Sequence, residues 1–322
     1  MIVAILLLVG TGLSWVSVGV AVGHVERKGW SLVRFQILLC IACVALCLAG
    51  YAAAPTAFLP QAGCPASTWA LVIAGTLLCG VFNYMMNEML GRGMKKGPNA
   101  IVWAIVQSGL IYPFLMGWLV FGVPMGPRRV CGIAMIVASV FLYAARRTGG
   151  EARRPRDGGA DASRQPALRG WLPAALLGMV FCGINQCGAN LPSYLEGGTE
   201  FSGTFRTMSV YLGLLLAGFA HLGLKRATGE RLAPAVPGEL KGLAAWAAGV
   251  GLLAFLTGKF LTFPGLDRLE RLGAGSMGYP VAVAACIAGF FPYGVLVLRE
   301  RIDSRQAAGA AIGLAGILVG CL

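Results

Sequence analysis

Residues 171–191 read WLPAALLGMVFCGINQCGANL. The run carries no charge and is long enough to cross a bilayer, which takes about 20 apolar residues in a helix. It also holds three amides, Asn185, Gln186 and Asn190. An amide without a partner in hydrocarbon costs several kcal/mol, roughly 2–7 by transfer measurements. The stretch therefore reads as a membrane-spanning helix whose amides have work to do.

The whole chain agrees with that class. It has 322 residues, 57% of them hydrophobic and only 12% charged, with a mean hydropathy of +0.75. A soluble protein is about a quarter charged. Nine further apolar runs bring the expected spans to ten: 2–22, 32–53, 67–90, 98–121, 127–145, 171–191, 202–222, 243–263, 275–298 and 306–322. The fold class is an all-α polytopic membrane protein with the lipid bilayer as its first partner. No basic cluster precedes residues 2–22 and no small-residue cleavage pattern follows, so this run is expected to be a first span and not a cleaved signal.

A net charge of +13 could suggest nucleic acid, but the charges sit in short clusters between apolar runs. Twenty of the 26 Lys and Arg lie in or beside the odd-numbered connections, five in the even ones, and Lys259 lies within a span. Cytoplasmic loops carry the basic excess. The expectation is an inner-membrane protein with its odd loops in the cytoplasm and both termini outside.

Residues 147–170, RTGGEARRPRDGGADASRQPALRG, cannot bury a core and are expected to be a disordered cytoplasmic linker. They separate a first five-helix repeat, 1–146, from a second, 171–322. IYPFLMGWLVFGV at 111–123 aligns with FFPYGVLVLRERI at 290–302, pairing Pro113 with Pro292. An odd number of spans per repeat would turn the second half upside down. Inverted repeats are common in secondary transporters, with the ligand held near mid-membrane between them.

The C-terminal stretch carries a pattern. An apolar helix closes on Glu300-Arg301, followed by Gln306, then Gly309 and Gly316 in the last helix. This resembles the drug/metabolite transporter superfamily (EamA-like), and the resemblance extends to ten helices, a 5+5 repeat and the mid-chain linker. The matching place in the first half is Phe121-Gly122, without the acidic–basic pair. Arg27, Lys28, Trp30 and Ser31 resemble the first loop of the L-rhamnose–proton symporter branch, and Asn83-Tyr84 its third helix. The resemblance implies gradient-driven alternating access and a sugar-like substrate.

Polar side chains inside the spans are the site candidates. Gln186 and Asn190 lie four residues apart, about 40° on a helix, and share a face, whereas Asn185 points about 100° away from Gln186. Asn83 and Asn87 repeat the spacing on the third span, and Asn99, Trp103 and Gln107 form a stripe on the fourth. The first span adds Ser14, Trp15 and Ser17, and the ninth Ser276 and Tyr279. Amides, hydroxyls and aromatic faces suit a neutral sugar or polyol. The competing role for each amide is to glue helices together, at about 0.6–2 kcal/mol.

Two charges lie within spans. Lys259 either snorkels to the outer interface or faces the cavity to meet an anionic group. Glu88 either pairs with Arg92, Lys95 or Lys96 or acts as a proton-coupling carboxylate. No acid lies deep in a span, so the residues themselves give no support to proton coupling; protons, sodium and facilitated exchange all stay open.

Enzyme chemistry finds little purchase. AGSMG at 274–278 is a near miss to a nucleophile elbow, and both histidines, His24 and His221, fall at the opposite membrane face. GRGMKKG at 91–97 lacks the strand and final G-K-[ST] of a phosphate loop. Cys40 and Cys43 form an isolated C-x-x-C inside a span, and the ten cysteines read as small apolar side chains. No catalytic residue, metal or cofactor is expected. The glycine pairs 309/313 and 316/320 point to packing within the chain before dimerisation, and monomer and homodimer both fit. The functional expectation is a secondary transporter of a neutral sugar or polyol. Export of amino acids or other metabolites is the alternative, and a non-transporting membrane protein a third reading.

Overall fold

The structure, a computed structural model, describes residues 1–55, 64–144, 171–230, 234–300 and 302–321. The expected linker 147–170, Arg301 and the side chain of Ser276 lie outside the described residues and atoms.

All regular structure among the described residues is helical. The order is α1 (Ile2–Arg27), α2 (Leu32–Ala53), α3 (Ala66–Met94), α4 (Asn99–Gln107), α5 (Ile111–Leu119), α6 (Pro127–Ala144), α7 (Trp171–Asn190), α8 (Gly203–Ala227), α9 (Glu239–Thr257), α10 (Phe263–Arg271), α11 (Gly278–Pro292) and α12 (Ser304–Cys321). A 3₁₀ turn, Ser108–Leu110, joins α4 to α5, and a π-helical turn, Gly258–Thr262, joins α9 to α10. A second π turn, Tyr293–Val297, follows α11. Pro113, Pro264 and Pro292 lie beside these irregular turns. Proline returns no N–H to the carbonyl four residues back, and the ladder slips locally.

Eight stretches are long and apolar enough to cross a membrane: Ile2–Arg27, Leu32–Ala53, Ala66–Met94, Asn99–Leu119, Trp171–Tyr194, Gly203–Ala227, Glu239–Arg271 and Gly278–Val297. The other two expected spans, 127–145 and 306–322, correspond to α6 and α12. Each is helical over 18 residues and packs along the other.

The polarity is inside out relative to a water-soluble bundle. Leu6, Leu71, Phe141, Leu216, Leu256 and Leu296 are exposed, whereas Gln36, Asn87, Gln107, Gln186 and Arg206 are buried. A lipid-facing rim around a polar interior gives this distribution.

Glycines let the backbones meet. A Cβ at Gly80 of α3 would collide with the Val210 carbonyl of α8, and one at Gly213 with the Leu77 carbonyl in return. Gly12 of α1 stands against the Ala282 carbonyl of α11, and Gly183 of α7 against the Gly109 carbonyl. Gly316 of α12 packs on the Gly132 carbonyl of α6, a contact within the chain.

The odd-numbered connections gather at one end. Glu239, which opens α9, accepts bonds from Ser31 N and Arg34 Nη1, each at 3.0 Å. Glu300 accepts from Asn99 N at 2.8 Å and Ala100 N at 3.0 Å, so a residue after α11 caps the start of α4. At the other end Thr68 Oγ1 donates to Glu196 O at 3.0 Å.

Candidate functional site

A cavity of about 150 Å³ lies midway along the bundle, walled by α1, α2, α3, α4, α7, α8, α9, the π turn, α10 and α11. By the measure in which one water needs roughly 10–15 Å³, it has room for a compact molecule of roughly a dozen heavy atoms.

Eight of the expected site residues share its wall: Trp15, Asn83, Asn87, Trp103, Gln107, Asn185, Gln186 and Tyr279. They arrive there because α1, α3, α4, α7 and α11 each bring their polar or aromatic face inward at the same depth. Trp15 stacks on Tyr279 with ring centroids 6.0 Å apart, and Trp103 on Phe290 at 5.0 Å. Trp15, Trp103 and Tyr279 make an aromatic side, while α3, α4 and α7 contribute the amides. Among the described residues, none on the wall carries a formal charge.

Three expected residues stand off the wall. Asn190, though buried, lies one turn beyond Gln186, about 6 Å along the helix. There α7 is giving way to a 3₁₀ turn, and Asn190 Nδ2 donates to Tyr194 OH at 3.4 Å. Lys259 lies on the π turn, but its ammonium sits over the rings of Phe255 at 5.6 Å and Phe260 at 5.0 Å. Phe255 is buried, Phe260 exposed and Lys259 itself half-buried, so the cation lies between the interior and the rim, off the cavity wall. Glu88 accepts from Gln36 Nε2 at 2.9 Å, and it forms no ion pair with Arg92, Lys95 or Lys96.

The amides are tethered mainly by thiols. Cys79 Sγ donates to Asn185 Oδ1 at 2.8 Å. Gln186 Nε2 donates to Cys182 Sγ at 3.2 Å, and Cys182 Sγ donates to Gln107 Oε1 at 3.7 Å. Gln107 Nε2 reaches Cys286 Sγ at 3.9 Å. Asn87 Nδ2 donates to Asn83 Oδ1 at 3.1 Å. Thiols are weak donors and weak acceptors, so these bonds orient the amides without satisfying them fully. Asn87 Oδ1, Gln186 Oε1 and Thr257 Oγ1 are buried with no hydrogen-bond partner.

Several wall residues have no signature in the sequence. Thr207, Tyr211, Thr257 and Thr262 come from α8, α9 and the π turn. Hydroxyls in membrane helices often bond the preceding turn, as Thr207 Oγ1 does to Gly203 O at 2.7 Å, so their type alone does not mark a site. The cysteines read as apolar filler, yet Cys79, Cys182 and Cys286 are amide partners. Arg206 counts in the sequence as a connection charge but is wholly buried. It pairs with Asp267 at 2.9 Å, donates to Gly198 O at 2.8 Å and lies 5.3 Å from the Phe263 ring centroid.

No family model matches the chain, and no curated protein matches it. Among solved structures it superposes on one named only "Crystal structure of protein", with a TM-score of 0.57 and 18% identity over 99% of this chain and 98% of the other. That likeness is one of fold. The eight long apolar helices are those of an all-helical, multi-pass membrane protein.

Proposed function

We propose that this protein is a secondary transporter that moves a small neutral polyhydroxylated solute, such as a monosaccharide or alditol, by alternating access. The observation that carries the reading is the mid-bundle cavity, free of formal charge and lined by amides, hydroxyls and stacked aromatic rings from both halves of the chain. Hydroxyls of a sugar can bond the amides while its C–H face lies on Trp15 or Tyr279.

The packing supports two inverted five-helix repeats, with α6 and α12 as the fifth span of each. Exchanging the halves maps the observed contacts onto one another. The α1–α11 contact becomes α7 with α4 and α5, α3–α8 becomes α9–α2, and α3–α7 becomes α9 and α10 with α1. The α2–α8, α4–α11 and α6–α12 contacts map onto themselves. The close approach of Gly12 to α11 matches that of Gly183 to Gly109. Rocking one half against the other around the cavity would expose it to each side in turn. The basic excess at the odd-loop end supports an inner-membrane orientation with that end in the cytoplasm and both termini outside. The likeness of Glu300, Gln306 and Gly309 to the drug/metabolite transporter pattern fits this reading.

Amino-acid export is less well served. A carboxylate substrate wants a cation, and Lys259 is not on the cavity wall. A sealed scaffold would close up at its centre, yet a cavity of about 150 Å³ lies there.

The test is uptake of labelled monosaccharides and alditols (rhamnose, fucose, mannose and xylitol) into proteoliposomes, under imposed proton or sodium gradients and without them. Saturable uptake that Gln186→Leu abolishes in a folded protein is the expected result. No uptake of any of them would refute the polyol reading.

A further inference from the structure

Helices α1 and α9 meet along a seam that does not close. A groove of about 350 Å³ runs along it, lined by Ser17 of α1 and by Ala245, Trp246, Gly249, Val250 and Leu253 of α9. Its inner side borders the central cavity, because Ser17, Val250 and Leu253 line both. The sequence accounts for the gap. Ala245, Gly249 and Leu253 recur at i,i+4 and share one face of α9. The first two are too small to reach α1, and a Cβ at Gly249 would meet nothing within 4 Å. The α3–α7 seam shows the opposite case. There Gly188 stands against the Gly75 carbonyl and Leu191 packs on Gly75.

The groove opens among lipid-facing side chains. Ala245, Ala248 and Gly249 are exposed, as are Leu13 of α1 and Leu252 of α9. Ser17 gives its proton to Ser14 O at 2.7 Å, so it makes no demand on an occupant. At this depth a bilayer offers only hydrocarbon to fill a groove.

The other end differs in chemistry. Trp246 packs on His24 with ring centroids 5.1 Å apart, and His24 on Trp30 at 5.6 Å. Indole rings collect where hydrocarbon meets headgroups. Beyond them stand two exposed lysines. Lys241 lies one turn before Ala245 on the same stripe, and Lys28 follows His24 by four residues at the end of α1. Neither forms an ion pair with a described residue. The acids of these helix ends are engaged elsewhere, Glu239 with Ser31 N and Arg34, and Glu26 over Gly91 of α3. From Lys241 to Leu253 is about 18 Å along a helix, close to one leaflet's hydrocarbon, about 15 Å.

We propose that this groove binds one anionic phospholipid. Its phosphate sits between Lys28 and Lys241, its glycerol region lies at the Trp30–His24–Trp246 cluster, and one acyl chain runs between α1 and α9 to the cavity wall. The order of charge, aromatic ring and apolar channel along the groove is that of a lipid read from head to tail. A peptide segment would carry unpaired backbone groups into hydrocarbon, and a free polar solute would leave the channel unfilled. The bound chain completes the lateral wall of the cavity where protein does not. The inference is independent of which solute the cavity carries.

The test is photolabelling in phosphatidylcholine proteoliposomes doped with a probe lipid. The probe is phosphatidylglycerol or phosphatidylcholine with a diazirine midway along one acyl chain, and labelled peptides are quantified by mass spectrometry. The phosphatidylglycerol probe is expected to label the α1 and α9 segments around Ser17 and Gly249 more densely than the lipid face of α8, which exposes Leu216 and Phe219. It should also exceed the phosphatidylcholine probe there by about fivefold or more, the contribution of roughly one lysine near an anionic headgroup. Gly249→Trp, which places an indole in open space, should bring the groove's label down to that of α8. Ala245→Trp does the same one turn away and serves if the first variant fails to fold. Lys28→Gln with Lys241→Gln should make the two probes equal. Label no denser in the groove than on α8 in the wild type would overturn the proposal, since only annular lipid would be present. Equal labelling of the wild-type groove by both probes, or undiminished label in a folded Trp variant, would also overturn it.

Discussion

Arg206 is the side chain whose environment differs most from what its type suggests. Its guanidinium is fully buried, paired with Asp267 and seated near Phe263. Removing one partner of such a pair leaves an uncompensated charge, a loss of about 3–5 kcal/mol. Asp267→Ala is therefore expected to lower the thermal midpoint of the detergent-solubilised protein steeply. Arg206→Met combined with Asp267→Leu should recover much of that loss, because two apolar groups replace the pair without an orphan. A small effect of Asp267→Ala would show the pair to be solvated. Lys259 sits at the other extreme. Its ammonium rides over two rings off the cavity wall, so Lys259→Ala should leave sugar uptake within about threefold of wild type. A complete loss would return Lys259 to the transport pathway. At this scale the sequence was partly legible. An amide in an apolar run is conspicuous by its cost, which is why Asn83, Gln107 and Gln186 could be picked out. Thr257 and Cys182 cost little wherever they lie, and Arg206 and Asp267 are far apart in the chain with no spacing that ties them.

Among the elements, the helix ends and breaks bear most on the site. Arg299 adopts φ = 53° after the π turn, the one non-glycine residue with positive φ among those described, and Glu300 then points back to cap α4. The left-handed conformation costs an L-residue roughly 1–2 kcal/mol, so Arg299→Gly is expected to raise thermal stability by up to about 1 kcal/mol. Glu300→Ala should lower it by about 0.5–2 kcal/mol by uncapping the helix that carries Trp103 and Gln107. Thermal unfolding of both variants checks the pair; equal effects of the same sign would contradict the capping role. Hydropathy placed most helices to within a few residues, because lipid leaves the backbone no alternative to helical hydrogen bonds. It could not show that the 33-residue stretch Glu239–Arg271 slips into a π turn at the cavity, since Pro264 could equally have ended or kinked the helix; there Gly258 packs on Thr207 of α8 with no room for a Cβ. It placed α6 and α12 to within two residues, but not that they would pack mainly on each other.

For the molecule as a whole, the arrangement joins two sets of helices around a chamber that neither set encloses alone. The orientation is testable directly. Single cysteines introduced at Lys28 and Lys241 in a cysteine-free background should react with an impermeant thiol reagent only from the cytoplasmic side, and one at Arg128 only from the outside. The opposite pattern would reverse the proposed topology. The general class was legible from composition, and the existence of a polar interior from a few amides. The absence of charge on the described cavity wall was not, because Lys259 lies in a span beside wall residues and only packing keeps it off the wall. That neutrality is the centre of the functional account, and transport of a sugar against its own aldonic acid tests it most directly. The two share most of their skeleton and differ by a carboxylate. The account predicts saturable uptake of the neutral sugar and exclusion of the acid by the same proteoliposomes. Uptake of the acid at an equal or greater rate would contradict it.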